Sequence, residues 1–164
     1  MSNKEKTSFE QVYLQFVKPI YYVAFAILKN KEDAEDVASD VFLSYYQMRN
    51  KEKIKNVKNY LFKMAHNKAL NYLKRKNREE LKDDIDVYYV EKDNFDNSLV
   101  TQIKKEIYSL PDEEKQIFVM HVNGGMGFRQ ISRIMKMSIS AVYRRYKKAI
   151  KMLQQALRGG EFHE

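Results

Sequence analysis

Arg144-Arg145 and Lys147-Lys148 form a tight cationic run that no acid opposes. Between Lys115 and Gly160 there is no Asp or Glu, while Arg129, Arg133, Lys136, Arg144, Arg145, Lys147, Lys148, Lys151 and Arg158 all fall in that span. Guanidinium and ammonium groups at this density pair with phosphates, whereas an ordinary solvated helix mixes signs. The chemistry on offer is recognition of a polyanion. Bond making has little support. His66, His121 and His163 are too scattered for a metal-ligand pattern, and no carboxylate pair sits with them at helical spacing. The absence of Cys excludes a thiolate metal site, a disulfide framework and a Cys nucleophile. Gly124-Gly125 and Gly127 precede a helix, but no Lys-Ser or Lys-Thr follows, so they read as a turn and not as a phosphate loop. No cofactor and no metal is expected, and the chain is not expected to be an enzyme.

Such a surface needs a rigid element to present it. Phe128, Ile131, Ile134 and Met135 recur as one face of a helix, Lys136-Met137 makes a short turn, and Ser138 can cap a second helix bearing Ile139, Val142, Tyr146 and Ile150. Helix, short turn and capped basic helix is the helix-turn-helix pattern. The first helix props the second against a major groove wide enough for one helix, so Ser140, Tyr143 and Arg144 near its N-terminus face base edges. An ordinary helical hairpin with a lysine-rich exterior shares this pattern, and the missing acids argue against it. Upstream, Val100, Ile103, Ile107 and Leu110 mark a helix that stops before Pro111. Pro111-Asp112-Glu113-Glu114 begins another, with acid in its first turn.

Five Gly and two Pro in 164 residues leave few tight turns, so the fold class is all-α: two small helical domains joined by an acidic linker. Apolar content of 44% against 32% charged is that of a folded protein, and a formal charge of +8 favours nucleic acid or anionic lipid as partner. The apolar stretch Ile20 to Leu28 is too short to span a bilayer and runs into Lys29 and Lys31, so a cytoplasmic protein without membrane insertion is expected. Ser8 and Gln11 have capping-box spacing, and Phe9, Val12, Tyr13, Phe16, Ile20, Val23 and Ile27 predict a first helix, bent or restarted at Pro19. A second should start after Asn30, with Ala34, Val37, Ala38, Val41, Phe42, Tyr45 and Met48 on one face and Glu32, Glu35, Asp36 and Asp40 on the other. Lys51 to Lys58 reads as a basic loop ending at a cap, Asn56; a third helix then runs from Val57 to about Arg75, with Tyr60, Leu61, Met64, Ala65, Lys68 and Tyr72 on a stripe. From Glu79 to Asp96 acid dominates and helical period is lost. The division predicted is a first domain over 1–78, a linker over 79–97, a second domain over 98–158 and a tail over 159–164, with Gly159-Gly160 ending the helical pattern.

Leu110-Pro111-Asp112-Glu113-Glu114-Lys115-Gln116-Ile117-Phe118, Gly125-Met126-Gly127-Phe128-Arg129-Gln130-Ile131 and Met137-Ser138-Ile139-Ser140-Ala141-Val142-Tyr143-Arg144-Arg145 resemble the fourth region of extracytoplasmic-function sigma factors. Lys31-Glu32-Asp33-Ala34-Glu35-Asp36-Val37 with Val41-Phe42, and Tyr60 through Leu70, resemble the second region. The resemblance implies a sigma factor that directs core RNA polymerase to promoters and assists melting. Its partners would be the clamp helices and flap of the core, promoter DNA, and an anti-sigma factor. Arg129, Ser138, Ser140, Tyr143, Arg144, Arg145, Lys147 and Lys148 would bind the minus-35 element. Lys63, Asn67, Asn71, Lys74 and Arg75 would bind the minus-10 element, and Asp33, Glu35, Asp36, Asp40, Val41, Phe42 and Tyr45 would contact the core.

Several readings stay open on sequence. Val41 and Phe42 fit a core stripe as well as a contact, Asn67 fits a packed amide, and Tyr60 fits base stacking but better fits the core. The acidic segment serves either as a solvated tether or as an anionic plug for a basic channel. Lys136 stands where the family carries Gly, predicting a strained left-handed residue or an altered turn, and Gly127 replaces a hydroxyl cap. A dimeric operator-binding regulator and a helical RNA-binding protein are the competing functions.

Overall fold

The computed structural model describes residues 3–79 and 98–161. Among these every regular element is a helix: α1 (Asn3–Leu28), α2 (Lys31–Gln47), a single 3-10 turn (Lys51–Lys53), α3 (Val57–Glu79), α4 (Ser98–Tyr108), α5 (Asp112–Val122), α6 (Phe128–Met135) and α7 (Ile139–Glu161). The chain divides between Asp84 and Ile85 into two compact units. The acidic stretch predicted as the linker lies outside the described residues, apart from the helical Glu79.

In the first unit α1, α2 and α3 each pack on the other two. Ile20, Val23 and Ile27 of α1, Val37, Val41 and Phe42 of α2, and Leu61 and Phe62 of α3 fill the core. Fully buried alanines (Ala24, Ala34, Ala65 and Ala69) let the backbones approach. Asn30 and Asn56 cap α2 and α3: each side-chain oxygen accepts a hydrogen bond at 3.0 Å from the amide three residues on, Asp33 and Asn59. Of the bend or restart expected at Pro19, the restart does not occur. α1 passes through it unbroken, because one missing amide donor is outweighed by the burial of Ile20 and Val23 in the next turn. Ser8 is likewise no cap, since α1 begins at Asn3. A 21-residue stretch of α1, Ser8–Leu28, is long and apolar enough to cross a membrane, yet its inward side forms the core of this unit.

In the second unit α5 is the axis. Every residue from Glu114 to Met120 is buried, and α6 and α7 pack against this helix while α4 packs on α7. Gly125, at φ 64°, supports the tight turn after α5 that sequence predicts there. The tail boundary needs correction. α7 continues through Gly159 and Gly160 to Glu161, since a helix already formed adds residues one hydrogen bond at a time despite glycine's low propensity. α3 similarly runs past Arg75 to Glu79, one residue beyond the predicted domain boundary.

Two lysines end helices in the left-handed region, Lys29 at φ 57° after α1 and Lys136 at φ 55° after α6. At Lys136 the amides of Lys136 and Met137 both donate to the Ser132 carbonyl, closing the turn. Glycine reaches that conformation without the Cβ clash. Lys136→Gly is therefore expected to raise stability by roughly 0.5–1 kcal/mol, and Lys136→Val to lower it. Urea unfolding followed by circular dichroism checks this, and a lower midpoint for the glycine variant would contradict it.

Candidate nucleic-acid interface

α6 and α7 are fastened by their apolar sides. Ile131 and Ile134 of α6 and Val142, Ala149 and Leu153 of α7 are buried. The Phe128 ring stacks on His121 of α5 with centroids 4.6 Å apart and lies 5.2 Å from Tyr146 of α7, so one aromatic cluster joins three helices. His121 is thereby placed in packing, its Nδ1 2.7 Å from the Met126 carbonyl. The hydroxyl of Ser138 accepts the Ala141 amide at 3.1 Å and starts α7 where sequence places its cap.

What remains outside on α7 is a single exposed row: Ser140, Tyr143, Arg144, Lys147, Lys148 and Lys151 recur at steps of three and four. Lys147 Nζ lies 5.6 Å from the Tyr143 ring centroid, a cation–π contact, and the same ring meets Phe128 edge-on at 5.7 Å. Arg129 and Ser138 are exposed at the N-termini of α6 and α7. Arg145 departs from this row. Its Nη1 lies 2.9 Å from Glu113 Oε2 and 3.0 Å from Glu114 Oε1, on α5, so its charge is engaged inside the unit.

In the first unit Lys63, Asn67, Asn71, Lys74 and Arg75 form one exposed row on α3, as predicted. Asn67 is not a packed amide, and Tyr60 is half-buried. A cleft of about 720 Å³ opens between this row and α2, lined by Asp36, Asp40, Asn71, Lys74, Arg75 and Arg78 among others.

The expected polymerase set divides. Glu35, Asp36 and Asp40 are exposed on α2. Val41, Phe42 and Tyr45 are 0%, 3% and 5% exposed, and burial pushes the Tyr45 phenol above its ordinary pKa, so these three belong to the core and present no surface. Asp33 is also turned inward: its carboxylate accepts hydrogen bonds at 2.7 Å from both Tyr72 Oη and Lys76 Nζ, fastening α3 to α2. Asp40 pairs with Lys68 at 2.9 Å. The exposed apolar groups beside the carboxylates are instead Leu43 at 53% and Tyr46 at 37%, which sequence reading missed. Their signal was available, since Leu43 falls seven residues after Asp36 and hence on the same face of α2. Among the described residues, no three His, Asp or Glu side chains converge as a metal site.

A helix-turn-helix with a basic outer row, beside a separate three-helix unit with an acidic and a basic-amide face, has known counterparts. Residues 12–79 match the sigma-70 region 2 family and residues 101–153 the sigma-70 region 4 family. The chain belongs to the sigma-70 family, and it is a sigma factor of the extracytoplasmic-function type, acting in promoter-specific initiation of transcription. It is 23% identical over 138 residues to the RNA polymerase sigma factor SigV of Bacillus subtilis (strain 168), covering 82% of this chain and 81% of that one. It is 24% identical over 135 residues to the ECF RNA polymerase sigma factor SigM of the same organism, covering 79% and 82%. Among solved structures it is similar to the sigma factor RpoE in complex with the anti-sigma factor NepR from Bartonella quintana, with a TM-score of 0.71 at 17% identity over 92% of this chain and 97% of that one. It is also similar to CnrH in complex with the cytosolic domain of CnrY, with a TM-score of 0.62 at 17% identity, covering 94% and 90%. Sigma factors are regulatory, non-catalytic proteins whose partners are RNA polymerase and promoter DNA.

The inward role of Asp33 is testable. Asp33→Asn is expected to destabilise the first unit by about 1–3 kcal/mol, because it weakens two charge-assisted hydrogen bonds in a partly buried position. Asp36→Asn, on the exposed face, should stay within about 0.5 kcal/mol. Equal urea midpoints for the two variants would contradict this assignment.

Proposed function

We propose that the two faces of the first unit bind different parts of the initiation complex, and that α7 reads the minus-35 element. Glu35, Asp36 and Asp40, with Leu43 and Tyr46 beside them, suit a basic, partly apolar helical surface such as the clamp helices of the polymerase core. Lys63, Asn67, Asn71, Lys74 and Arg75 form a ledge for the backbone and splayed bases of the minus-10 strand, so holding that strand unpaired assists melting. The second unit sits on the flap and lays α7 in the major groove. Ser140, Tyr143 and Arg144 face bases, and Arg129, Ser138, Lys147 and Lys148 face phosphates and sugars. The single observation that carries the reading is the exposed row on α7, whose charges are all positive and which begins at a capped N-terminus.

On this reading the region 2 domain spans 1–78, the region 4 domain begins at 98 and includes α7 to its end, and the acidic segment between the two domains connects them. The protein works in the cytoplasm, beside the polymerase. An anti-sigma factor is a further partner, by analogy with the RpoE and CnrH complexes. An operator-binding dimer would need no face for polymerase, and the acidic and apolar side of α2 favours the sigma reading over it.

The test uses reconstituted holoenzyme on a promoter library with salt titration. Arg144→Ala is expected to cost about 1–3 kcal/mol on the preferred minus-35 sequence and to relax preference at one position. Lys151→Ala should weaken all promoters alike and flatten the salt dependence by about one unit. The same uniform loss from both would contradict the groove assignment. Asp36→Lys should weaken binding to the core while leaving helicity intact.

A further inference from the structure

Arg145 lies beside Arg144 in sequence but about 100° further round α7, on its flank. There it meets a carboxylate that has little access to water. The Glu114 side chain is 3% exposed, and its Oε1 lies 3.0 Å from Arg145 Nη1 and 3.7 Å from Lys148 Nζ. A buried carboxylate left without a cation is strongly unfavourable, so Glu114 holds Arg145 in place. Glu113 reinforces this at 2.9 Å from the same nitrogen. Val142, Ala149 and Leu153 turn one face of α7 inward and Tyr146 packs against His121 and Phe128, so the ion pairs add a polar tie to a helix already seated by its apolar side. The guanidinium donates a hydrogen bond from Nη1 to Glu114 Oε1, and the same nitrogen faces Glu113, so this tie has a defined direction.

We propose that Glu114 is a positioning residue for promoter discrimination: through Arg145 it sets the fine rotation of α7 within the seat that its apolar face provides, and it keeps the Arg145 charge off the duplex phosphates. This rests on the reading of α7 as the minus-35 recognition helix. The rotation decides how the side chains meet the bases, since a turn of α7 by a small part of the roughly 100° between neighbours shifts Ser140, Tyr143 and Arg144 away from base edges. Withholding Arg145 confines sequence-independent attraction to the outer row.

The experiment uses holoenzyme assembled with the full chain on a library randomised in the minus-35 element, at several salt concentrations. Glu114→Gln keeps the shape and one acceptor but removes the charge. It is expected to reduce minus-35 preference about tenfold and to steepen the salt dependence by about one unit, as Arg145 becomes available to a phosphate. Arg145→Met should reduce preference similarly with no change in salt dependence, and adding Glu114→Gln to it should change neither further. Arg145→Lys, which keeps the charge without the fork, should recover part of the preference. If Arg145→Met flattened the salt dependence by about one unit and left preference intact, Arg145 would be a phosphate contact and the proposal would be wrong. Loss of helicity in both the Glu114 and Arg145 variants would make the clasp a requirement of folding and would also overturn it. The Arg144→Ala control separates the two levels. If that control leaves preference untouched, the groove reading fails and the positioning role falls with it. Normal Arg144 dependence with unaltered preference in Glu114→Gln overturns the positioning role alone.

Discussion

A three-helix unit has one interior, and filling it decides where every other side chain goes. Burial of Val37, Val41, Phe42 and Tyr45 turns one side of α2 inward and leaves Glu35, Asp36, Asp40 and Leu43 facing out. Burial of Leu61, Phe62, Ala65 and Ala69 does the same for α3 and leaves Lys63, Asn67, Asn71 and Lys74 on one outer row. At 3.6 residues per turn a helix cannot change one face without displacing the other, so the exposed rows are fixed by the apolar stripes behind them. The second unit obeys the same constraint around α5. Ile131, Val142 and Ala149 face inward, and the row from Ser140 to Lys151 is what remains.

Charge refines this arrangement. Some acids of the chain are turned inward, where they orient helices: Asp33 receives Tyr72 and Lys76, and Glu114 receives Arg145 and Lys148. Such bonds refine the orientation that apolar packing sets, and their favourable part is offset by desolvation, so their main effect is on geometry. On α7 the outcome is an outer surface of one sign, which steers the unit toward a polyanion and gives its binding a strong dependence on salt.

The periodic features were legible in the sequence because they depend on neighbours along the chain. The stripe on α2, the caps at Asn30, Asn56 and Ser138, the turn at Lys136-Met137 and the rows on α3 and α7 all follow from spacing and local hydrogen bonding. Features that depend on the third dimension were not. Pro19 reads as a bend or a restart, and the packing of the following turn carries α1 through it without a restart. Arg145 reads as one more cation in a basic run, and its diversion to α5 becomes visible once Glu113 and Glu114 are brought alongside. Val41, Phe42 and Tyr45 satisfy a core pattern and a contact pattern equally, and the observed burial decides for the core. Lys115, buried in the first turn of α5, departs from the usual placement of lysine at the surface.

Promoter-specific initiation requires both units to act in one assembly. Run-off transcription measures that directly, with core polymerase from a related bacterium supplied alone or with this chain on a set of genomic promoter fragments. The account predicts discrete transcripts from a subset of fragments only when the chain is present. Full occupancy of the core by the chain without any promoter-dependent transcript on the whole fragment set would contradict it.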